Sequence, residues 1–171
     1  GLPPGAEPND YWLPVFRANN LDHQTLRPVE TVVDAVQILP YYNCEVYSVN
    51  PSKGICREWA AQLEELLRDR EYQKNSCTTP QRRLFLHQAV LSGIIASRVK
   101  AGRIKALPLT CSYPFNQHDL LAPGKKVSSL NELSAVIFDY AWSSNPGWMD
   151  KIRIDEPLRS WLFDTYLEYL K

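Results

Sequence analysis

An α/β or α+β fold, a mixed sheet with flanking helices in a single domain, is what the order of hydrophobic patterns predicts. Runs rich in β-branched and aromatic side chains, residues 31–39, 45–49 and 135–142, are strand-like. They are separated by two longer stretches, 54–70 and 80–100, whose lengths and apolar positions suit helices. Prolines and Asn-Pro or Gly-Lys pairs fall between these runs, where such residues end elements.

Taken in order, the first ten residues hold three prolines, which predicts a flexible lead-in over residues 1–9 and a domain over 10–171. Residues 11–17 read as a short helix capped by Asp10, with Pro14 in its first turn. The strand at 31–39 stops at Pro40. A second strand at 45–49 alternates polar and apolar side chains until Asn50-Pro51, and the two are expected to pair.

In the stretch 54–70, Ile55, Trp59, Leu63, Leu66 and Leu67 recur on one side, opposite Glu58, Glu64, Glu65, Arg68 and Asp69, the pattern of a surface helix. Residues 71–79 are polar and read as a loop. Pro80, preceded by the capping residue Thr79, opens a helix expected to run to about Lys100 and end at Gly102. Its middle is apolar nearly all round, so it is expected to be buried on more than one face. Residues 104–108 read as a short strand or edge element and 109–119 as an irregular segment. Residues 129–133 read as a helical turn, 143–147 as a loop and 157–171 as a C-terminal helix around Leu158, Trp161, Leu162, Tyr166 and Leu170.

Composition narrows the function classes. The chain has 171 residues with 19 basic and 19 acidic side chains, so no global field recruits nucleic acid or an anionic membrane. Five Trp and nine Tyr in a chain of ordinary apolar content predict a folded core. Cys44, Cys56, Cys77 and Cys111 form no Cys-x-x-Cys pair and read as free thiols of a reducing compartment, which points to the cytoplasm. With His23, His87 and His118 they do not make two close ligand pairs, so no metal site is predicted. No run approaches the ~20 apolar residues of a membrane span. The chain starts Gly-Leu-Pro-Pro without an initiator Met, and the expectation is that an upstream region precedes it.

Familiar catalytic signatures are absent from the sequence: Gly-x-Gly-x-x-Gly, a P-loop, Gly-x-Ser-x-Gly and His-Glu-x-x-His do not occur. Ser92 and Cys111 have no identifiable base, so nucleophilic catalysis has no specific support. The densest polar group on an irregular segment is Asn116, Gln117, His118 and Asp119, and such loops are where binding groups collect. Adjacent residues of an extended chain point to opposite sides, so His118 and Asp119 are not read as a dyad.

Three segments, in order, carry a family pattern: Tyr42-Asn43-Cys44-Glu45-Val46 running on to Gly54-Ile55-Cys56-Arg57-Glu58-Trp59, then Phe85-Leu86-His87-Gln88, then Leu107-Pro108 with Tyr113-Pro114-Phe115-Asn116. Together they resemble the distal, acceptor-side half of a glycosyltransferase of the nucleotide-diphospho-sugar (GT-A) type. The likeness spans residues 27–118, about half the chain. It implies a fragment of a larger nucleotide-diphospho-sugar transferase fold, moving a sugar from a nucleotide donor to an unknown acceptor. It implies sugar or glycan contacts from Asn43, His87, Gln88 and Asn116, with Glu45 standing where the family favours glycine. It also implies Mn²⁺ or Mg²⁺ held by an Asp-x-Asp in an upstream half; no cofactor site is evident within this sequence.

With His118 from the polar loop, the candidate substrate-binding set is Asn43, Glu45, His87, Gln88, Asn116 and His118. Each also has a structural reading. His87 and Gln88 suit hydrogen-bonded positions in a helix, Asn43 and Asn116 suit turns, and Tyr41, Tyr42, Tyr47 and Trp59 either stack on sugar rings or fill core. A noncatalytic carbohydrate- or protein-binding α+β domain is therefore the second reading, and an unrelated α+β protein the third. The family pattern requires residues 46–49 to lie inside a sheet, with His87 and Asn43 facing one cleft.

Overall fold

The computed structural model describes residues 1–134 and 146–166, in two units: Gly1–Thr31 with Ala35–Lys105, and Val32–Asp34 with Ala106–Lys171. Helices dominate, and among the described residues the only sheet is a two-stranded antiparallel ladder, so the fold has α+β character.

In the first unit, Asn9 accepts the N–H groups of Tyr11 and Trp12 and starts helix α1, Trp12–Ala18, taking the capping role expected of Asp10. The strands are β1, Val29–Glu30, and β2, Gln37–Ile38. Gly54, at φ +71°, turns the chain left-handed into α2, Ile55–Arg68, a conformation that only glycine adopts without strain. Next come α3, Arg70–Asn75; α4, Pro80–Leu84; and α5, Leu86–Arg98.

Helix α5 behaves as its sequence demands. Leu86 and every residue from Gln88 to Ile94 are buried, under α1 on one side and α2 on another. Val15, Phe16, Leu39, Ile55, Leu66 and Tyr72 complete this core. Each large apolar side chain buried here contributes about 1.5–3 kcal/mol. The lead-in is tied to it, since Leu39 N–H donates to the carbonyl of Leu2 (2.7 Å) and Leu2 packs on the core.

Three expected strands and one expected loop are corrected. The 31–39 strand is interrupted by a turn in which Thr31 N–H donates to Val36 O (2.9 Å) and Ala35 takes φ +54°. Val32 and Val36 are exposed there, and β-branched side chains favour a strand only where a half-buried sheet receives them. Residues 45–49 form no strand: Asn43 Oδ1 accepts Glu45 N–H (2.9 Å), an Asx turn that diverts the chain and leaves Val46 and Tyr47 exposed. Residues 104–108 likewise join no ladder. The expected loop at 71–79 contains α3, because Asp69 caps it by accepting Tyr72 N–H (2.9 Å) and Tyr72 OH donates to Tyr11 O (2.8 Å) in the core.

The expected helix from 80 to 100 is two. Thr79 caps the first as predicted, the backbone departs from helical geometry at Phe85, and α5 ends at Arg98, before Gly102.

The second unit has little regular structure. Tyr113, Phe115, Leu121, Leu130, Ile152, Ile154 and Leu162 form its core. The expected turn at 129–133 is a 3₁₀ turn, Leu130–Glu132, with a capping box between Ser129 and Glu132. It is joined to 153–155 by Leu130 N–H to Arg153 O (2.9 Å) and Asp155 N–H to Asn131 Oδ1 (2.8 Å). The C-terminal helix begins as α6, Leu158–Trp161, and continues in a π-helical turn, Leu162–Tyr166. The expected strand at 135–142, most of the loop at 143–147 and the helix beyond Tyr166 lie outside the described residues. Among the described residues no helix is long and apolar enough to cross a membrane.

Gly93 lets α1 approach α5: a Cβ there would stand 2.9 Å from Asn19 Nδ2 and 3.0 Å from Val15 Cγ1. Asn19 is itself held, donating to Val15 O (2.8 Å) and Gln62 Oε1 (2.9 Å). Gly93→Ala is expected to destabilise the protein by about 1–3 kcal/mol in urea unfolding. Gly102→Ala, where a Cβ meets nothing within 4 Å, is expected to stay within ~0.5 kcal/mol of the parent.

Candidate functional site

A short 3₁₀ run, Phe115–Leu120, carries His118 into the second unit beside the fully buried Tyr113. Tyr113 OH lies 2.7 Å from His118 Nδ1 and accepts the N–H of Val127 (3.4 Å). Burial raises the pKa of Tyr113, so its hydroxyl stays protonated, and the imidazole tautomer sets the direction of its bond with Nδ1. Nε2 is the ring nitrogen outside this bond.

His118 lines a cleft of about 590 Å³ with Lys126, Lys151, Arg153, Arg159 and Asp150 around it and Ile152 and Ile154 beneath. Four cations thus face one acid. Lys151 pairs with Asp119, and Arg153 pairs with Asp155 (3.2 Å). Lys126 Nζ donates to the Asp119 carbonyl (3.1 Å), and Arg159 lies over the Phe163 ring, 5.0 Å from its centroid. Among the described residues neither Lys126 nor Arg159 has a carboxylate at salt-bridge distance.

This field is felt by the site's own titratable groups. Burial, followed by the charge of Lys126, lowers the pKa of His118; Lys151 adds to the shift and Asp119 opposes it. The Lys151 hydrogen bond lowers the pKa of Asp119. Burial disfavours charge of either sign, while the Lys126 and Lys151 contributions are those that favour an anion.

The other candidates are divided. Asn116 is half-buried on the same 3₁₀ run but does not line this cleft. Asn43, Glu45, His87 and Gln88 belong to the first unit. Asn43 and Glu45 are exposed partners in the Asx turn. His87 is half-buried against Trp59, ring centroids 6.4 Å apart, and its carbonyl accepts the Trp59 indole N–H (2.8 Å). Tyr47 meets the other side of this group, 5.9 Å from Trp59 and edge-on.

Gln88, one residue on, is buried and lines a different cleft, of about 380 Å³, with Tyr11, Trp12, Tyr41, Arg82 and Phe85. His87 and Asn43 do not share a described cleft, and residues 46–49 are outside any sheet, so neither spatial requirement of the family pattern is met by the described residues.

Sequence reasoning singled out His118, Gln88 and Tyr41, which line clefts, but missed the cations around His118 and the rings of Tyr11, Trp12 and Phe85 around Gln88. The cations are spread from 126 to 159, and no spacing rule joins them. Trp12 stood in the predicted helix with nothing to mark it as a cleft residue. Among the described residues no group of three or more His, Cys, Asp or Glu side chains could hold a metal ion, and the four cysteines are free thiols. Compared with protein-family models, curated proteins and solved structures, the chain matches none.

The lowered pKa of His118 has a signed consequence. The unfolded chain titrates this histidine near pH ~6.5, the folded one lower, so between the two values the unfolded state holds more protons. Stability is therefore complete above that window and falls as pH drops through it. His118→Gln is expected to flatten the loss of Tm between pH 7.5 and 5, and NMR titration of the parent should give His118 a pKa below ~6.5.

Proposed function

We propose that the chain is a glycosyltransferase-like protein that takes a nucleotide-diphospho-sugar donor and transfers its sugar to an acceptor. The cationic cleft beside His118 carries this reading: its volume of about 590 Å³ falls in the ~300–1,000 Å³ range of small-molecule sites, and its charge suits a diphosphate. Lys126 and Arg159 can each give charge-assisted hydrogen bonds to phosphate oxygens, and His118 Nε2, when it carries the proton, can add a third donor. Donors fixed in place stabilise charge developing on a leaving diphosphate, the work that a divalent ion does where one is bound.

The ordered motifs in the first unit add support. The Trp59–His87 bond ties the block at 38–59 to the helix bearing His87-Gln88, two of the three segments that carry the family resemblance. A specific observation favours the second reading, a noncatalytic carbohydrate- or protein-binding domain: residues 45–49 form no strand, and exposed Glu45 occupies the position where the family favours glycine.

Thermal shift separates the two. UDP-glucose or GDP-mannose at millimolar concentration is expected to raise Tm without added Mn²⁺ or Mg²⁺. The double variant Lys126→Ala/Arg159→Ala is expected to weaken donor binding at least tenfold, roughly 1.4 kcal/mol at 25 °C. Donor binding should also raise the NMR pKa of His118, since a phosphate offsets the surrounding cations. No stabilisation by UDP, GDP or their sugars would leave the noncatalytic reading.

A further inference from the structure

Gln88 is 6 % exposed, and among the described residues its side-chain amide has no hydrogen-bond partner. That is unusual for a buried primary amide, which offers two donors and a carbonyl acceptor. Its neighbours Ala89, Val90 and Leu91 fill core with apolar groups, and an apolar side chain at 88 would serve packing better. The amide lines the cleft bounded by Trp12 and Tyr41.

Those two side chains repeat the pattern. Trp12 is 8 % exposed and its indole N–H has no partner among the described residues; the Tyr41 hydroxyl has none either. Burial pushes the pKa of Tyr41 up to about 12, so its hydroxyl is a neutral donor at physiological pH. The rings of Trp12 and Tyr41 stand at 85°, centroids 5.7 Å apart, and Tyr11 meets Trp12 edge-on at 5.5 Å. The cleft thus offers aromatic surfaces set at right angles and neutral polar groups among them.

Charge decides what such a cleft takes. Its one cationic side chain, Arg82, is already engaged: Nη1 donates to Ser76 O (2.7 Å) and lies 3.5 Å from Asp10, and the guanidinium sits over the Tyr11 ring. An anion gains little here. A purely apolar guest would leave the Gln88 amide unpaired, so the ligand has to present both C–H surface and hydroxyl or amide groups. A pyranose ring does so, its C–H face against an aromatic ring and its hydroxyls on the amide. The cleft's volume of about 380 Å³ lies within the small-molecule range of ~300–1,000 Å³.

We propose that the cleft formed by Trp12, Tyr41, Phe85 and Gln88 is a binding site for a neutral saccharide, with the Gln88 amide as its principal polar contact. The site does not rest on the donor reading, because its residues lie in the first unit and its ligand carries no phosphate.

The test uses the full chain with methyl α-glucopyranoside, methyl α-mannopyranoside and N-acetylglucosamine, none of which carries charge. At least one is expected to bind saturably at millimolar concentration, shifting the Trp12 indole N–H signal in NMR. Gln88→Leu is expected to weaken that binding at least tenfold while Tm stays level or rises, because it removes a buried amide without a partner. A clear fall in Tm for Gln88→Leu would show that the amide is structural and overturn the proposal. Binding that survives Gln88→Leu, or no binding by any of the three saccharides, would overturn it as well. Stabilisation by UDP-sugars with no response to neutral saccharides would sink this site and leave the donor reading standing.

Discussion

Helix α5 has no face polar enough to meet water, and the first unit is arranged around hiding it. Leu86, Leu91 and Ile94 are almost completely buried, and so are the small residues Ala89, Ser92 and Gly93 between them. The small residues set the distances: Gly93 admits Val15 and Asn19 of α1, while Ser92 Oγ accepts the N–H of Tyr42 (2.8 Å) and anchors the segment that follows β2. Helix α2 covers another side, held by Trp59 on the His87 carbonyl and by the partly exposed Arg98–Glu58 pair. Solvent exposure limits that ion pair to about 1 kcal/mol or less, so burial of α5 stabilises the unit more than the pair does.

The second unit meets the same physical demand without long elements. Its backbone groups are paired by short local devices: the Ser129–Glu132 capping box, Asn131 receiving Asp155 N–H, and Glu156 accepting the N–H (3.1 Å) and hydroxyl (2.7 Å) of Ser160. A segment held this way brings basic residues from 126, 151, 153 and 159 to one cleft while Tyr113 and Phe115 fill the space beneath. Neighbouring like charges are tolerated because Asp119 and Asp155 each take one cation, while among the described residues Lys126 and Arg159 have no carboxylate at salt-bridge distance.

What the sequence made legible follows from which forces are local. The start of α4 was readable because Thr79, Pro80 and the 3.6-residue period act within a turn or two, and the burial of α5 on more than one face followed from composition alone. Strands were not, since β-branched residues at 32, 33 and 36 and at 46 and 49 resemble strand residues whether or not a sheet exists to receive them. Helix α3 was missed for the converse reason: its one buried residue, Tyr72, is fixed by a carbonyl 61 positions earlier in the chain. The sites were legible as single residues, His118 and Gln88, and illegible as surroundings, because the groups that give each its chemistry come from distant stretches.

The contrast between those surroundings bears on function more than either residue does. Gln88 and His118 are both about nine-tenths buried, yet the medium around them differs in kind. Around His118 the charge is positive and incompletely neutralised, so the free energy available there grows when an anion arrives and falls with salt. Around Gln88 the one cationic side chain is spent on Ser76, Asp10 and the Tyr11 ring, and the side-chain groups left unpaired among the described residues are dipolar. Dipolar groups facing aromatic rings distinguish ligands by shape and hydroxyl placement, with little dependence on salt.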